Sequence, residues 1–459
     1  MFTSRKPHAV EMTEGSLLKN ILYFSLPLML SGILQLLFNT ADTIVVGRYA
    51  GERALAAVGS VGSLNSLLVS LFIGLSVGAN VVVARQLGAR DHSGVQDAVH
   101  TTVSISLLSG IFLAFTGFFL ARPILTMMGS PEDVIDLSVL YVRIIFLGMP
   151  LQMVYNFCAA ILRAAGDTKH PLYFLTIAGA VNLLLNLLFV IAFKMSVAGV
   201  ALATVLSQMI STVLVVRSLM LQEGSVRFEW KKLRIVPTQL WQILRVGLPC
   251  GIQSSVFSIA NVLIQSSLNS FGTLAMAGNA AAASIGSFVA QGVTAFMQAA
   301  TSFVSRNIGA RKPRRALHAM WCCQLWSFLF SSVLGILVFL FGRQLLSLYN
   351  ADPEVISWGL QRLAIVYLPY FITGFMEIFS GALRGIGCSL PPMIISLLGA
   401  CAFRIVWILT VFKAHPTLPC LLSSFPISWI ITSVIMGCFF FLMYKRLCSQ
   451  YTPAELTAL

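Results

Sequence analysis

Charge is what this chain has least of. Asp, Glu, Lys and Arg together make up 10% of its 459 residues, against about 25% in a typical soluble domain. Acids are scarcest, at 16 positions. Hydrophobic residues make up 57% of the chain and the mean hydropathy is +0.87. Its apolar runs reach the ~20 residues needed to cross a bilayer. A soluble core cannot absorb this composition, so the chain reads as a polytopic membrane protein. Catalytic signatures are missing too. There is no G-x-x-x-x-G-K-[ST] and no Lys follows a Gly, which excludes a P-loop ATPase within the chain. There is no H-E-x-x-H. The six histidines, His8, His92, His100, His170, His318 and His415, fall in the N-terminal tail, in loops or at span ends. The nine cysteines make no C-x-x-C and read as free thiols. An enzyme, a resident cofactor and a structural metal are therefore not expected. No apolar signal region precedes the first long segment, so no cleavable leader is expected.

Breaks of charge, Gly and Pro divide the apolar sequence into twelve spans: 18–46, 54–83, 95–120, 134–161, 171–193, 197–219, 241–270, 274–303, 316–341, 354–382, 391–412 and 421–444. With the N-terminus inside, 21 Lys and Arg fall on inside segments and 6 outside, and Arg143, Arg362 and Arg404 lie within spans. The positive-inside rule then puts both termini in the cytoplasm, and the net charge of +14 reflects basic loops, not nucleic-acid binding. Lys19 and the run RKPRR at 311–315 read as solvated faces near anionic lipid.

The halves repeat. At an offset of 221, Arg85, Gly88, Ala89 and Arg90 match Arg306, Gly309, Ala310 and Arg311, and Leu162, Arg163, Gly166 and Pro171 match Leu383, Arg384, Gly387 and Pro392. At 222, Leu26 and Pro27 match Leu248 and Pro249. Six spans per half makes this a parallel repeat, a common plan in secondary transporters. The expected domains are an N-terminal six-helix lobe over 1–220, a cytoplasmic linker over 221–240 and a C-terminal six-helix lobe over 241–459. Pro27 and Pro249 interrupt spans 1 and 7. Each removes a backbone hydrogen bond, which makes it a kink or a hinge.

A few polar groups remain at membrane depth, where an ionised side chain costs about 2.5 to 3.5 kcal/mol on insertion scales. Gln35, Asn39 and Asp42 follow i, i+4, i+7 spacing and share one helix face, and Asn182 and Asn186 share a face in span 5. A carboxylate facing carboxamide oxygens suits Na⁺ or a proton. The competing reading is an acid that is wet near the outer end of its span. Glu377 and Arg404 form a second pair, read either as a substrate or proton site or as an ion pair fixing helices. Asn156 matches Glu377 in the first half. Met153, Tyr155, Phe157, Tyr370 and Phe375 are candidate lining residues for a substrate cavity, each also compatible with plain packing.

Five stretches carry a family resemblance: TEGSLLKNILYFSLPLM, NTADTIVVGRYAGERALAAVG, ARQLGAR, ILRAAGDTKHPL and SGALRGIGCSLPPM. Together they make the chain similar to multidrug and toxic compound extrusion (MATE) transporters of the bacterial antiporter type, over nearly its whole length. The resemblance implies an all-α membrane protein of twelve helices in two six-helix lobes. It also implies export of diverse, often cationic amphipathic compounds by alternating access, driven by Na⁺ or H⁺ entry. Such relatives hold their cation on an acid in helix 1 with an Asn and an acid one turn apart in helix 5. Asp42 and Asn182 match the first two, and Asn186 stands where the second acid often occurs. Glu377 falls about one turn from an acid that one relative uses for drug binding. A bacterial plasma membrane, small-molecule and lipid partners, and a monomer are expected. The rival readings are a lipid or oligosaccharide-carrier flippase, which would favour a strongly basic central cavity, and a non-transport scaffold.

Overall fold

The computed structural model describes residues 9–127 and 132–452, and nearly all of them are helical. Arg5, Lys6 and His8 lie outside the described residues. The first half runs α1 (Leu17–Val45), α2 (Glu52–Gly88), α3 (His92–Met127), α4 (Glu132–Leu147), α5 (Met149–Ala164), α6 (Lys169–Asn186) and α7 (Ser196–Met220). The second runs α8 (Pro237–Asn269), α9 (Thr273–Gly309), α10 (Pro313–Leu340), α11 (Gly342–Ser347), α12 (Pro353–Arg362), α13 (Phe371–Ile386), α14 (Leu390–Ser396), α15 (Phe403–Trp407) and α16 (Leu418–Cys448).

By length and apolarity ten helical segments are able to cross a membrane, and two bent pairs raise the number to twelve. The spans expected over 134–161 and 354–382 are these pairs. The first bends by 45° between α4 and α5, and the second by 46° between the α12 segment and α13. Pro150 at the start of α5 and Pro369 before α13 account for the breaks, since neither can donate to the preceding turn. Five π-helical turns also interrupt or extend the spans, at Val46–Ala50, Leu187–Ala192, Leu363–Tyr367, Leu397–Ala402 and Ile408–Phe412.

The described residues divide into two compact units, 9–10 with 30–251, and 11–29 with 252–452. The divisions fall inside α1 and α8, two residues after Pro27 and Pro249. Within the first unit, α3 packs on α4 and α5, and α2 on α5. The first part of α8 lies against α2 through glycines: a Cβ on Gly78 would sit 2.3 Å from the Ile243 carbonyl oxygen, and one on Gly74 2.2 Å from the Gly251 nitrogen. Small residues spaced four apart let membrane helices approach this closely. Within the second unit, α9 packs on α10, α12 and α13, and α13 on α16. The start of α1 joins it, with Phe24 edge-on to Phe303 at 5.5 Å and Trp326 Nε1 donating to the Leu18 carbonyl at 3.1 Å.

The sequence repeat is visible in the backbone. Gly51 and Gly272 have φ of 89° and 91°, Arg90 and Arg311 both 56°, and Gly166 and Gly387 both 94°. Asn80 Nδ2 donates to the Ala160 carbonyl at 3.0 Å, and its counterpart Thr301 donates through Oγ1 to the Gly381 carbonyl at 3.1 Å.

Candidate functional site

The first unit carries a polar chain at the end of α1. Asn186 Nδ2 donates to Asp42 Oδ1 at 2.5 Å and to Asn182 Oδ1 at 3.2 Å. Asn182 Nδ2 reaches Thr204 Oγ1 of α7 at 3.5 Å, and that hydroxyl donates to the Val200 carbonyl at 2.9 Å. Asn186 is fully buried and Asn182 is 6% exposed. Around them Val45, Val46, Val190, Val197 and Val200 form an apolar cluster against which Tyr141 packs. The i, i+4 spacing in α6 aligns the two amides, and α1 supplies the acid. With both amide hydrogens turned to acceptors, Asn186 Oδ1 is buried with no hydrogen-bond partner among the described residues. An orphaned acceptor beside a carboxylate is chemically suited to a cation or to a donated proton.

Gln35 and Asn39 share a helix with Asp42, yet both are exposed and neither side chain joins the chain of bonds. Residues at i and i+7 line up along a helix without being brought to one partner. Thr204 was not legible as a site residue, because a lone Thr in an apolar run carries no periodic signal.

The second unit holds a cavity of about 450 Å³. Arg362, Arg404 and Glu377 line it, with Asn261, Gln265 and Asn279. Tyr370 is in its wall, as are Phe425 and Trp429. Arg404 is 4% exposed, its guanidinium 4.3 Å from the Phe425 ring centroid, and its Nε donates to Ser428 Oγ at 3.0 Å. Arg362 donates to Asn279 Oδ1 and lies 5.7 Å from the same Phe425 ring. Glu377 and Arg404 share the cavity but make no ion pair among the described residues. Arg384 Nη2 donates to Gln253 Oε1 at 3.0 Å instead.

The other candidates fall elsewhere. Met153 and Phe157 are fully buried in the core cluster of the first unit, and Tyr155 packs against that cluster and donates to the Pro171 carbonyl at 3.1 Å. Asn156 is partly buried on the same helix. Phe375 packs on Phe328 at 6.4 Å. The inward face of α5 is thus spent on packing, as the alternation of its small and large apolar residues allows.

A duplicated bundle of apolar helices with isolated polar sites at membrane depth defines a membrane transporter in class. The MatE family model matches residues 27–188 and 249–410, one copy per half, and the chain belongs to that family. It is 28% identical over 407 residues to the probable multidrug resistance protein YpnP of Bacillus subtilis, covering 86% of this chain and 88% of that one. It is 24% identical over 443 residues to a FAD transporter of Shewanella oneidensis, covering 93% and 94%. A solved structure described as the outward-facing conformation of a multidrug resistance MATE family transporter superposes with a TM-score of 0.90 at 22% identity, covering 97% of this chain and all of the other.

Proposed function

We propose that this protein exports small amphipathic molecules across a bacterial plasma membrane in exchange for an entering cation, Na⁺ or H⁺, with both termini on the cytoplasmic side. Relatives that carry the names multidrug resistance protein and FAD transporter support the export of small molecules. The observation that carries the coupling role is the bond from Asn186 to Asp42 beside an unpartnered Asn186 oxygen. An entering cation neutralises Asp42 and takes up that oxygen, either directly as Na⁺ or as the proton of the acid. Asn182 and Thr204 hold Asn186 in place through the next two bonds. A ligand shifts a conformational equilibrium only by its different affinity for the two states. Asp42 supplies that difference, because its charge is tolerated where water reaches it and costly where the valine cluster closes around it. Pro27 and Pro249 lie beside the points where α1 and α8 divide between the compact units, which supports a hinge role.

The test is dye export from drug-sensitive bacteria carrying the wild-type chain or Asp42→Asn at equal membrane abundance, with and without added Na⁺. Ethidium serves as the cationic dye and carboxyfluorescein as the anionic one. Wild type exports at least one dye and the variant neither. Equal export by the variant refutes the coupling role, and no export by wild type refutes the export reading.

A further inference from the structure

The cavity of the second unit is opposite in charge to the Asp42 site. At the offset of 222 that relates α1 to α8, Asp42 is replaced by Ile264, while at 221 Tyr141 and Leu183 are replaced by Arg362 and Arg404. Two guanidiniums therefore face one cavity whose wall carries a single acid among the described residues, Glu377. None of the three makes an ion pair among those residues. Like charges held together away from water are unfavourable unless an opposite charge joins them.

The arginines are also set up as donors. Arg404 stacks on Phe425 at 4.3 Å and approaches Trp429 at 5.9 Å. Stacking uses the face of a guanidinium and leaves its in-plane N–H groups available for the oxygens of an anion. Its Nε is bonded to Ser428, and its Nη atoms have no hydrogen-bond partner among the described residues. Arg362 has one bond, to Asn279, and its Nε is buried without a partner among those residues. Both residues adjoin π-helical turns. Arg362 directly precedes Leu363–Tyr367, and Arg404 lies between Leu397–Ala402 and Ile408–Phe412. Such turns concentrate at functional sites. The Asp42 site has the same setting, since Asn186 directly precedes Leu187–Ala192. The remaining wall is aromatic, with Tyr370 edge-on to Trp429 at 5.4 Å and Phe425 edge-on to Trp429 at 5.9 Å.

From this geometry we infer that the second-unit cavity is a binding site for small aromatic anions, with Arg362 and Arg404 clamping a carboxylate, sulfonate or phosphate while the ring system lies among Tyr370, Phe425 and Trp429. Asn261 and Gln265 supply neutral hydrogen bonds at the rim. Glu377 opposes the anion and discriminates against molecules with more negative charge than two arginines can match. The inference rests on the export reading only in calling the anion a substrate, because binding is measured without transport.

The experiment is calorimetric titration of the purified protein in phosphatidylcholine nanodiscs with two probes of one shape and opposite fixed charge, naphthalene-1-sulfonate and (1-naphthylmethyl)trimethylammonium. The sulfonate binds about tenfold tighter or more, and Arg404→Gln and Arg362→Gln each weaken it by about tenfold. Arg362→Lys, which keeps the charge but loses the fork, weakens it less than Arg362→Gln does. Glu377→Gln tightens the sulfonate, a gain that a purely structural role does not produce. Arg343→Gln, on an exposed residue outside the cavity, leaves it unchanged. The inference is overturned if the ammonium binds as well as the sulfonate, if neither binds, or if Glu377→Gln weakens the sulfonate.

Discussion

Asn186 donates to Asp42 at 2.5 Å across 144 residues of sequence, joining the end of α6 to the end of α1. Among the described residues it is also the only hydrogen-bonded link between that carboxylate and the buried amide of Asn182. Replacing it with Leu removes the bond and the unpartnered oxygen together. Losing a hydrogen bond to a buried charged group is worth about 1.5–3 kcal/mol, or roughly ten- to a hundredfold in affinity. Asn186→Leu is therefore expected to move the cation concentration for half-maximal export by about tenfold or more, upward for Na⁺, which loses an oxygen ligand, and downward for H⁺, which no longer competes with the amide N–H for the carboxylate. Export measured across a Na⁺ series at fixed pH, and across a pH series without Na⁺, checks this. An unchanged half-maximal concentration in both series contradicts it.

The glycine contact between α2 and α8 predicts two mutations of opposite sign on one helix. At Gly78 an added methyl meets the Ile243 carbonyl at 2.3 Å, which demands a backbone shift. Overpacking of this kind costs about 1–3 kcal/mol. At Gly59, also in α2, nothing among the described residues lies within 4 Å of the added methyl. There an alanine gains helix propensity of up to about 1 kcal/mol. Thermal unfolding in detergent is expected to give a lower Tm for Gly78→Ala and an unchanged or higher one for Gly59→Ala.

The repeated turns make a paired prediction. Gly51 and Gly272 have φ near 90° with ψ of 170° and 174°, and at neither would an added methyl find an atom of the described residues within 4 Å. Any cost of Gly51→Ala or Gly272→Ala is therefore conformational, about 1–3 kcal/mol. Both variants are expected to lose similar stability by denaturant unfolding. A loss at one position alone counts against equivalent roles in the two halves.

The segment before α1 is expected to respond to pH through Glu11. Burial pushes the Glu11 carboxyl up, but the hydrogen bonds it accepts from the Thr13 hydroxyl and N–H, with the Arg306 charge, leave it below the usual carboxylate value. A depressed acid stabilises the folded state above its unfolded pKa and loses that contribution as pH falls through its folded pKa. Backbone hydrogen exchange over residues 11–15 is therefore expected to quicken, beyond its intrinsic pH dependence, when the pH drops below the ordinary carboxylate range. Glu11→Gln removes that extra dependence.

Much of the fold is legible in the residues, because long apolar runs and a near-constant offset survive without knowledge of contacts. The breaks at Gly148–Pro150 and Pro369 were legible as prolines but not as bends, since a proline near a helix start is also an ordinary first-turn residue. The division of α1 and α8 between compact units was not legible, because apolar sequence does not state its partner. At the first site, the acid and the two amides were readable from spacing, and Thr204 was not. At the second, Arg362 was visible only as one of three arginines within spans. Its convergence with Arg404 depends on how the helices that carry them pack around one cavity. Helical periodicity cannot encode that.

The central claim is that the charge on Asp42 couples cation entry to export. The most direct measurement is counterflow in proteoliposomes, with an outward gradient of whichever dye the cells export and no ion gradient at the start. In the wild type, dye movement drives Na⁺ or H⁺ the opposite way, read by ²²Na⁺ uptake or by an internal pH dye. In Asp42→Asn that ion movement is abolished while the protein remains folded. Ion counterflow that persists in the variant at the wild-type rate contradicts the claim.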